Sequence, residues 1–274
     1  MFDAAGGDLS FTERLSSEDK VVLRKLFLHA HRGTPERRFL KSLIPNDVVP
    51  YGPYRIRLFP RENYTDLQIW LKGHPPEPYS VTALLRHVHE NRCLICDIGA
   101  NSGSYTLMLA GTAGPGSAVL AFDPNPVMVE RLAENLRLNG LEDRVTIHQV
   151  ALSDSEGQAE LSAPPGNYGE ATLQRTLRRV ASSFTVPTAP LAKFIPDLAA
   201  FDKFAIKIDV EGHEDHVLGP YLSTAPDSQL PDVILIETAH KQNWATDLTS
   251  LIVEKGYQAT FEGEGNTLYT LRKE

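Results

Sequence analysis

Three side chains able to exchange protons, Asp209, Glu211 and His213, stand at alternate positions in the string IKIDVEGHE (206–214). Carboxylate and imidazole are the common general acids and bases, and a base must lie within hydrogen-bond reach of the proton it takes. A further carboxylate, Glu237, closes the apolar run VILIE (233–237). The bland alternative is that His213 caps a helix and Glu211 pairs with Lys207. With Glu214 and His216 close behind, the same string could also offer oxygen and imidazole ligands to a divalent ion. Its spacing matches no motif of fixed metal geometry, and no metal is expected.

A second group surrounds a glycine-containing turn. The apolar run CLICDI (93–98) leads into Gly99-Ala100-Asn101-Ser102-Gly103. Such a turn after a strand usually cradles a nucleotide. The dinucleotide fingerprint would need glycine at 99, 101 and 104, and this chain has Asn101 and Ser104. The second glycine of that fingerprint lets the backbone approach a pyrophosphate. A side chain obstructs that approach here, which a phosphate-free ligand would tolerate. S-adenosylmethionine is such a ligand, an adenosine joined to a sulfonium and an amino acid.

On that reading Asp97 favours the cationic groups, and Gly99, Asn101 and Gly103 line the methionine part. Asp123 closes the next apolar run and can accept from both ribose hydroxyls. Leu152 and Ser153 follow the third run and would pack against adenine, with Asp154 accepting from its exocyclic amine. Singly these are weak: Asp123 could cap a helix before Pro126, and Asp154 could be a turn residue before Gly157. Their order at three successive strand ends joins them.

The elements that must position these residues alternate. A helix is predicted over 80–91, a strand at 93–98 and a helix to about 113. Then come a strand (118–123), a helix (126–139) and a strand (145–149). After a long loop follow a strand (204–209), a helix near 213–222, a strand (233–237), a helix (247–255) and two late strands (257–261 and 268–272). This is an α/β pattern, an open, mostly parallel Rossmann-like sheet whose ligands bind at the carboxyl ends of its strands.

Cys93 and Cys96 form a C-x-x-C, but residues three apart on a strand face opposite ways, so two buried thiols are expected. The loop 163–190 is rich in Pro, Gly, Ser and Thr and carries Arg175, Arg178 and Arg179. A connection this long is either a lid over a site or a surface excursion.

Residues 1–78 read as an appendage, bounded by the breaker Gly73-His74-Pro75-Pro76-Glu77-Pro78. A helical segment over 10–44 would place Leu15, Val22, Leu23, Leu26, Phe27 and Ala30 on one stripe. Ser16 or Ser17 would cap it, and Gly33-Thr34-Pro35 interrupts it. Arg32, Arg37, Arg38 and Lys41 cluster around that break and read as a solvated face rather than an anion site. YRIRLF (54–59) and DLQIWL (66–71) alternate like the strands of a hairpin.

Composition narrows the partners. The 274 residues hold 27 Lys and Arg against 35 Asp and Glu, a net charge of -8. That balance disfavours a general nucleic-acid binder and a polybasic membrane anchor. Two cysteines exclude a disulfide-rich scaffold. No basic-then-apolar leader and no apolar run near ~20 residues is present, so a cytoplasmic, soluble chain is expected.

Together these segments resemble the FkbM-type S-adenosylmethionine-dependent methyltransferases, of the class I Rossmann-like group. DIGANSGSYT (97–106), AFDPNPVMVERLAENLRLNG (121–140), VALSDSEGQAEL (150–161), IKIDVEGHEDHVL (206–218) and ILIE (234–237) carry the resemblance, with IKIDVEGHE its most specific part. It covers about residues 93–240. Asp123 stands where the family more often has Glu, and Pro190-Leu191-Ala192 where it often has T-L-D.

The resemblance implies a methyltransferase domain over 79–274, with S-adenosylmethionine as cofactor. It also implies O-methylation of a hydroxyl on a sugar, glycan or secondary metabolite. Glu211 and His213 are then the candidate bases, Asp209 orients the cofactor or a neighbour, and Glu237 holds the acceptor or His213. A nicotinamide-dependent oxidoreductase is one alternative, disfavoured by the missing glycines. A non-catalytic Rossmann-like ligand-binding domain is the other, disfavoured by the intact string from Asp209 to His213.

Overall fold

The computed structural model describes residues 15–164, 166–173 and 182–272, in two units that part between Pro76 and Glu77. In the first unit Ser16 opens helix α1 (Ser17–His29) with a capping box: its hydroxyl accepts from the Asp19 N–H, and the Asp19 carboxylate accepts from the Ser16 N–H. Leu23, Phe27 and Ala30 are buried, at i, i+4 and i+7. Val22 and Leu26 do not share that stripe and stand 55% and 51% exposed. Each lies one residue, about 100° round the helix, from the buried line. Thr34 caps α2 (Pro35–Ser42), with Pro35 in the first turn.

The hairpin differs from the expected one. β1 (Asp47–Tyr51) pairs antiparallel with β2 (Tyr54–Leu58) around Gly52-Pro53. DLQIWL lies instead in helix α3 (Tyr64–Lys72). The Asn63 side chain accepts from the Thr65 N–H at 2.9 Å, and Gly73 ends the helix in the left-handed conformation at φ 76°. Leu67, Ile69, Trp70 and Leu71 are all buried, so the segment carries no true period of two. A run of six residues is too short for periodicity to separate strand from helix.

The second unit opens with α4 (Pro78–Val88), β3 (Cys93–Ile98), α5 (Ser104–Thr112), β4 (Ala118–Phe122), α6 (Pro126–Arg137) and β5 (Val145–His148). The long connection folds into a small sheet of its own. Its strands are β6 (Ala151–Leu152), β7 (Gly157–Ala163) and β8 (Ser182–Ala189), in the order β6-β8-β7. Ala151, Leu161 and Val186 form its core. Arg175, Arg178 and Arg179 lie outside the described residues. There follow β9 (Lys203–Ile208), α7 (Glu214–Thr224), β10 (Val233–Glu237), α8 (Leu248–Glu254), β11 (Tyr257–Gly263) and β12 (Asn266–Leu271).

The large sheet has the order β11-β12-β10-β9-β3-β4-β5. Five neighbours run parallel and the last two strands antiparallel, an open Rossmann-like α/β sheet. From β3 the chain steps outward to β4 and β5, then returns to β9 on the other side. That reversal of direction creates a crevice at the carboxyl ends of β3 and β9. Leu94, Cys96 and Ile98 enter one core cluster with Ile206, Ile208, Ile234 and Ile236. Both cysteines are free and buried, and burial raises the Cys93 thiol to about 11. Among the described residues no helix is long and apolar enough to cross a membrane.

Asn63→Ala removes a cap that exists only if a helix starts at residue 64. It should lower unfolding stability by about 1–2 kcal/mol. An unchanged urea midpoint would contradict the capping role.

Candidate active site

The crevice is closed at its base by backbone touching backbone. The Asp209 N–H donates to the Ile98 carbonyl at 3.0 Å. Gly99 sits at φ 75°, and a Cβ there would lie 1.8 Å from the Asp209 carbonyl oxygen. Glycine is required at 99 because two loops meet, a need that arises within the protein itself. Gly103 adopts φ 95°, which favours glycine, and a Cβ there would also press on the Leu132 side chain of α6, 2.6 Å from Cδ1. Asn101 adopts φ 53°, and its side-chain oxygen accepts from the Ser102 N–H at 2.7 Å.

Beneath this turn Lys207 points from β9 toward β3. Its ammonium donates to the Gly99 carbonyl at 2.9 Å and lies 3.5 Å from Asp97 Oδ1. Asp97 is fully buried, and its other oxygen accepts from the Thr106 hydroxyl at 2.6 Å. Lys207 thus pairs with Asp97, and Glu211 faces His240 in place of the Lys207 partner that the bland alternative gave it. Burial works against the Lys207 charge, yet Asp97, Asp209 and Glu77 hold its pKa above the ordinary lysine value. Glu77 belongs to this surround, accepting from the Tyr105 hydroxyl at 2.8 Å. Burial, then the nearby Asp209 charge, raises the Glu77 carboxyl.

Asp123 follows β4. One carboxylate oxygen accepts from the Asn101 N–H at 2.8 Å and the other from the Asn125 N–H at 2.9 Å. Burial raises its pKa to about 6 against those two hydrogen bonds. Asp123 therefore fastens the glycine turn to the end of the next strand.

The residues expected on the acceptor side separate into two groups. His213 Nε2 shares a hydrogen bond of 3.1 Å with the Ser153 hydroxyl, and its ring stacks on His216 at 4.5 Å. His216 Nδ1 in turn lies 3.3 Å from Asp154. His213 precedes α7 without capping it by its side chain. Burial, then the neighbouring His216, lowers its pKa. Leu152, just before Ser153, is buried.

Glu211 and Glu237 form the other group, joined by a residue that motif reading missed. His240 Nδ1 lies 2.9 Å from Glu237 and 3.6 Å from Glu211. The E-x-x-H spacing of Glu237 and His240 was the available signal. Burial and then the Asp209 charge push both Glu211 and Glu237 up to about 8, while His240 pulls Glu211 down. Glu211 is also a non-glycine residue at φ 57°. Such conformations cost energy and gather at functional sites.

Glu214 is buried and braces this loop, accepting from the N–H groups of Val210 and Gly212 and from the Trp244 indole. Carboxylate oxygens of Asp209, Glu214 and Glu237 lie within 4.8 Å of one another. The imidazoles of His213 and His216 instead turn to Ser153 and Asp154.

The Methyltransferase FkbM domain family matches residues 97–259. A ribosomal protein L11 methyltransferase of Bacillus pumilus is 37% identical over 81 residues, 30% of this chain and 25% of that protein. Methyltransferase sdnD of Sordaria araneosa is 38% identical over 79 residues, 29% of this chain and 30% of that protein. The matches thus span less than a third of these curated relatives. The crystal structure of methyltransferase FkbM from Methylobacillus flagellatus KT has a TM-score of 0.49 at 18% identity, covering 92% of this chain and 59% of that one.

Lys207→Met leaves Asp97 charged and buried without its partner. It should destabilise the chain by about 3–5 kcal/mol. Adding Asp97→Asn should recover much of that loss. Additive losses in chemical denaturation would show that the pair is not coupled.

Proposed function

For a chain that belongs to the FkbM methyltransferase family, we propose methyl transfer from S-adenosylmethionine to a hydroxyl oxygen of a small-molecule or glycan acceptor. The observation that carries this reading is the acid-rich crevice at the reversal of the sheet. Glu77, Asp209, Glu211 and Glu237 act on one another there, and the Lys207 cation is already committed to Asp97. A cation bound among these carboxyls favours their ionised forms, so the set suits a cation better than a phosphate. The residues therefore fit S-adenosylmethionine, which when bound supplies an electrophilic methyl carbon.

The turn 99–103 would hold the methionine part, and Asp123 the ribose. A carboxylate offers about four acceptor sites, so two backbone donors leave Asp123 capacity for hydroxyls. Leu152 and Ser153 would meet the adenine, with Asp154 near its amine. His213, whose pKa is lowered by burial and by His216, positions Ser153. Asp209 raises the basicity of its neighbours. Glu211 takes the acceptor's proton, and Glu237 with His240 sets the pH at which it can do so. Alignment of acceptor and methyl supplies most of the remaining rate.

Calorimetry should show S-adenosylhomocysteine binding and no NADH binding. Asp123→Ala should weaken the former by about tenfold or more. Binding of NADH alone would reject the reading. Labelled S-adenosylmethionine offered with pools of glycans and polyketides would then identify the acceptor.

The pH dependence tests the base. A general base acts when deprotonated, so kcat/KM should rise through an apparent pKa near 8. Glu237→Gln removes a negative neighbour and should move that limb to lower pH. His240→Ala should move it higher, and Glu211→Gln should abolish it. A profile flat from about pH 6 to 9 would reject Glu211 as the base.

A further inference from the structure

Residues 1–76 hold twelve Lys and Arg against nine Asp and Glu, a net of +3, whereas residues 77–274 carry -11. Part of that positive charge lines a cavity of about 280 Å³ built wholly within the first unit. Arg32, Arg37, Arg38 and Lys41 contribute from α2 and the turn before it, and Tyr64 and Gln68 from α3. No carboxylate lines the cavity, and among the described residues none of its three arginines pairs with one. The basic cluster therefore borders a concave site, where the sequence suggested a solvated helix face.

Two of the arginines are held in place by neutral groups. Arg37 Nη1 donates to the Phe27 and Ala30 carbonyls at 2.7 Å each, and its guanidinium lies 4.0 Å from the Phe27 ring centroid. Arg38 Nη1 donates to the Gly33 carbonyl at 2.8 Å. These bonds fix orientation without cancelling charge. A guanidinium carries five donors in a planar fork, so both keep donors for another partner. Fixing them beforehand reduces the side-chain entropy lost on binding.

We propose that this cavity binds a small molecule bearing a phosphoryl group. Arginine forks match phosphoryl oxygens bidentately. The volume exceeds what one phosphate fills, and Tyr64, 47% exposed, presents an aromatic ring to the remainder of the ligand.

The test is calorimetric titration of the full chain with pyrophosphate and with phenyl phosphate, at about 150 mM salt so that weak surface attraction is screened. Both should saturate. Arg32→Ala/Arg38→Ala, which spares the Arg37 cap of α1, should weaken both by about tenfold or more. S-adenosylhomocysteine affinity should stay within about twofold, because the substitutions touch only the first unit. Lys41→Gln should weaken phosphate binding severalfold and serves as a second variant if the double substitution misfolds. Failure of both probes to saturate by about 10 mM would overturn the proposal, since that corresponds to only about 3 kcal/mol of binding. Unchanged binding by the double variant would also overturn it. So would saturation by an oligouridine where phenyl phosphate fails, which would make the face a nucleic-acid surface.

Discussion

One buried ammonium organises the crevice. Lys207 lies between strands β3 and β9 at the point where the chain reverses direction across the sheet, and it bonds the Gly99 carbonyl while facing Asp97. In a low-dielectric interior neither charge would be tolerable alone. The pair therefore couples two strand ends whose loops must diverge to leave a crevice. Gly99 completes the arrangement, because only a residue without Cβ allows its turn to rest on the Asp209 carbonyl. The positions of Asp97, Asp209 and the glycine turn follow from this one contact region.

The remaining carboxyls respond to that arrangement. Lys207 compensates Asp97 most directly, whereas buried Asp123 and half-buried Glu77, Glu211 and Glu237 have less compensation, and desolvation leads the causes that raise each of them. Glu211 and Glu237 also repel one another, and His240 between them limits the cost. Groups of this kind bind protons in the folded state that the unfolded chain has already released. Their contribution to stability falls as pH rises from ordinary carboxylate values toward about 8. The crevice thus trades some stability for groups that titrate near neutrality.

Much of the large sheet was legible because its central strands, β3, β4, β9 and β10, are short apolar runs bounded by turn residues. The carboxylates at strand ends were legible from their order along the chain. What could not be read was contact between distant segments. Nothing local to IKIDVEGHE shows that His213 turns to Ser153 while Glu211 turns to His240. The brace made by Glu214 with Trp244 likewise joins residues thirty apart. DLQIWL misled because Leu67, Ile69 and Leu71 alternate while Trp70 breaks the alternation, and the deciding signals, Asn63 and Gly73, lie outside it. The small sheet of β6, β7 and β8 was hidden because β7 and β8 pair across a long polar connection.

The sign of the crevice bears on turnover as well as on recognition. Carboxylates draw in a cation and are nearly indifferent to a neutral molecule of the same shape. In the proposed reaction the sulfonium becomes an uncharged thioether at the moment of transfer. On the proposed reading the crevice would hold the sulfonium form more firmly than the thioether it becomes. Departure of the spent form would then be eased by the chemistry itself.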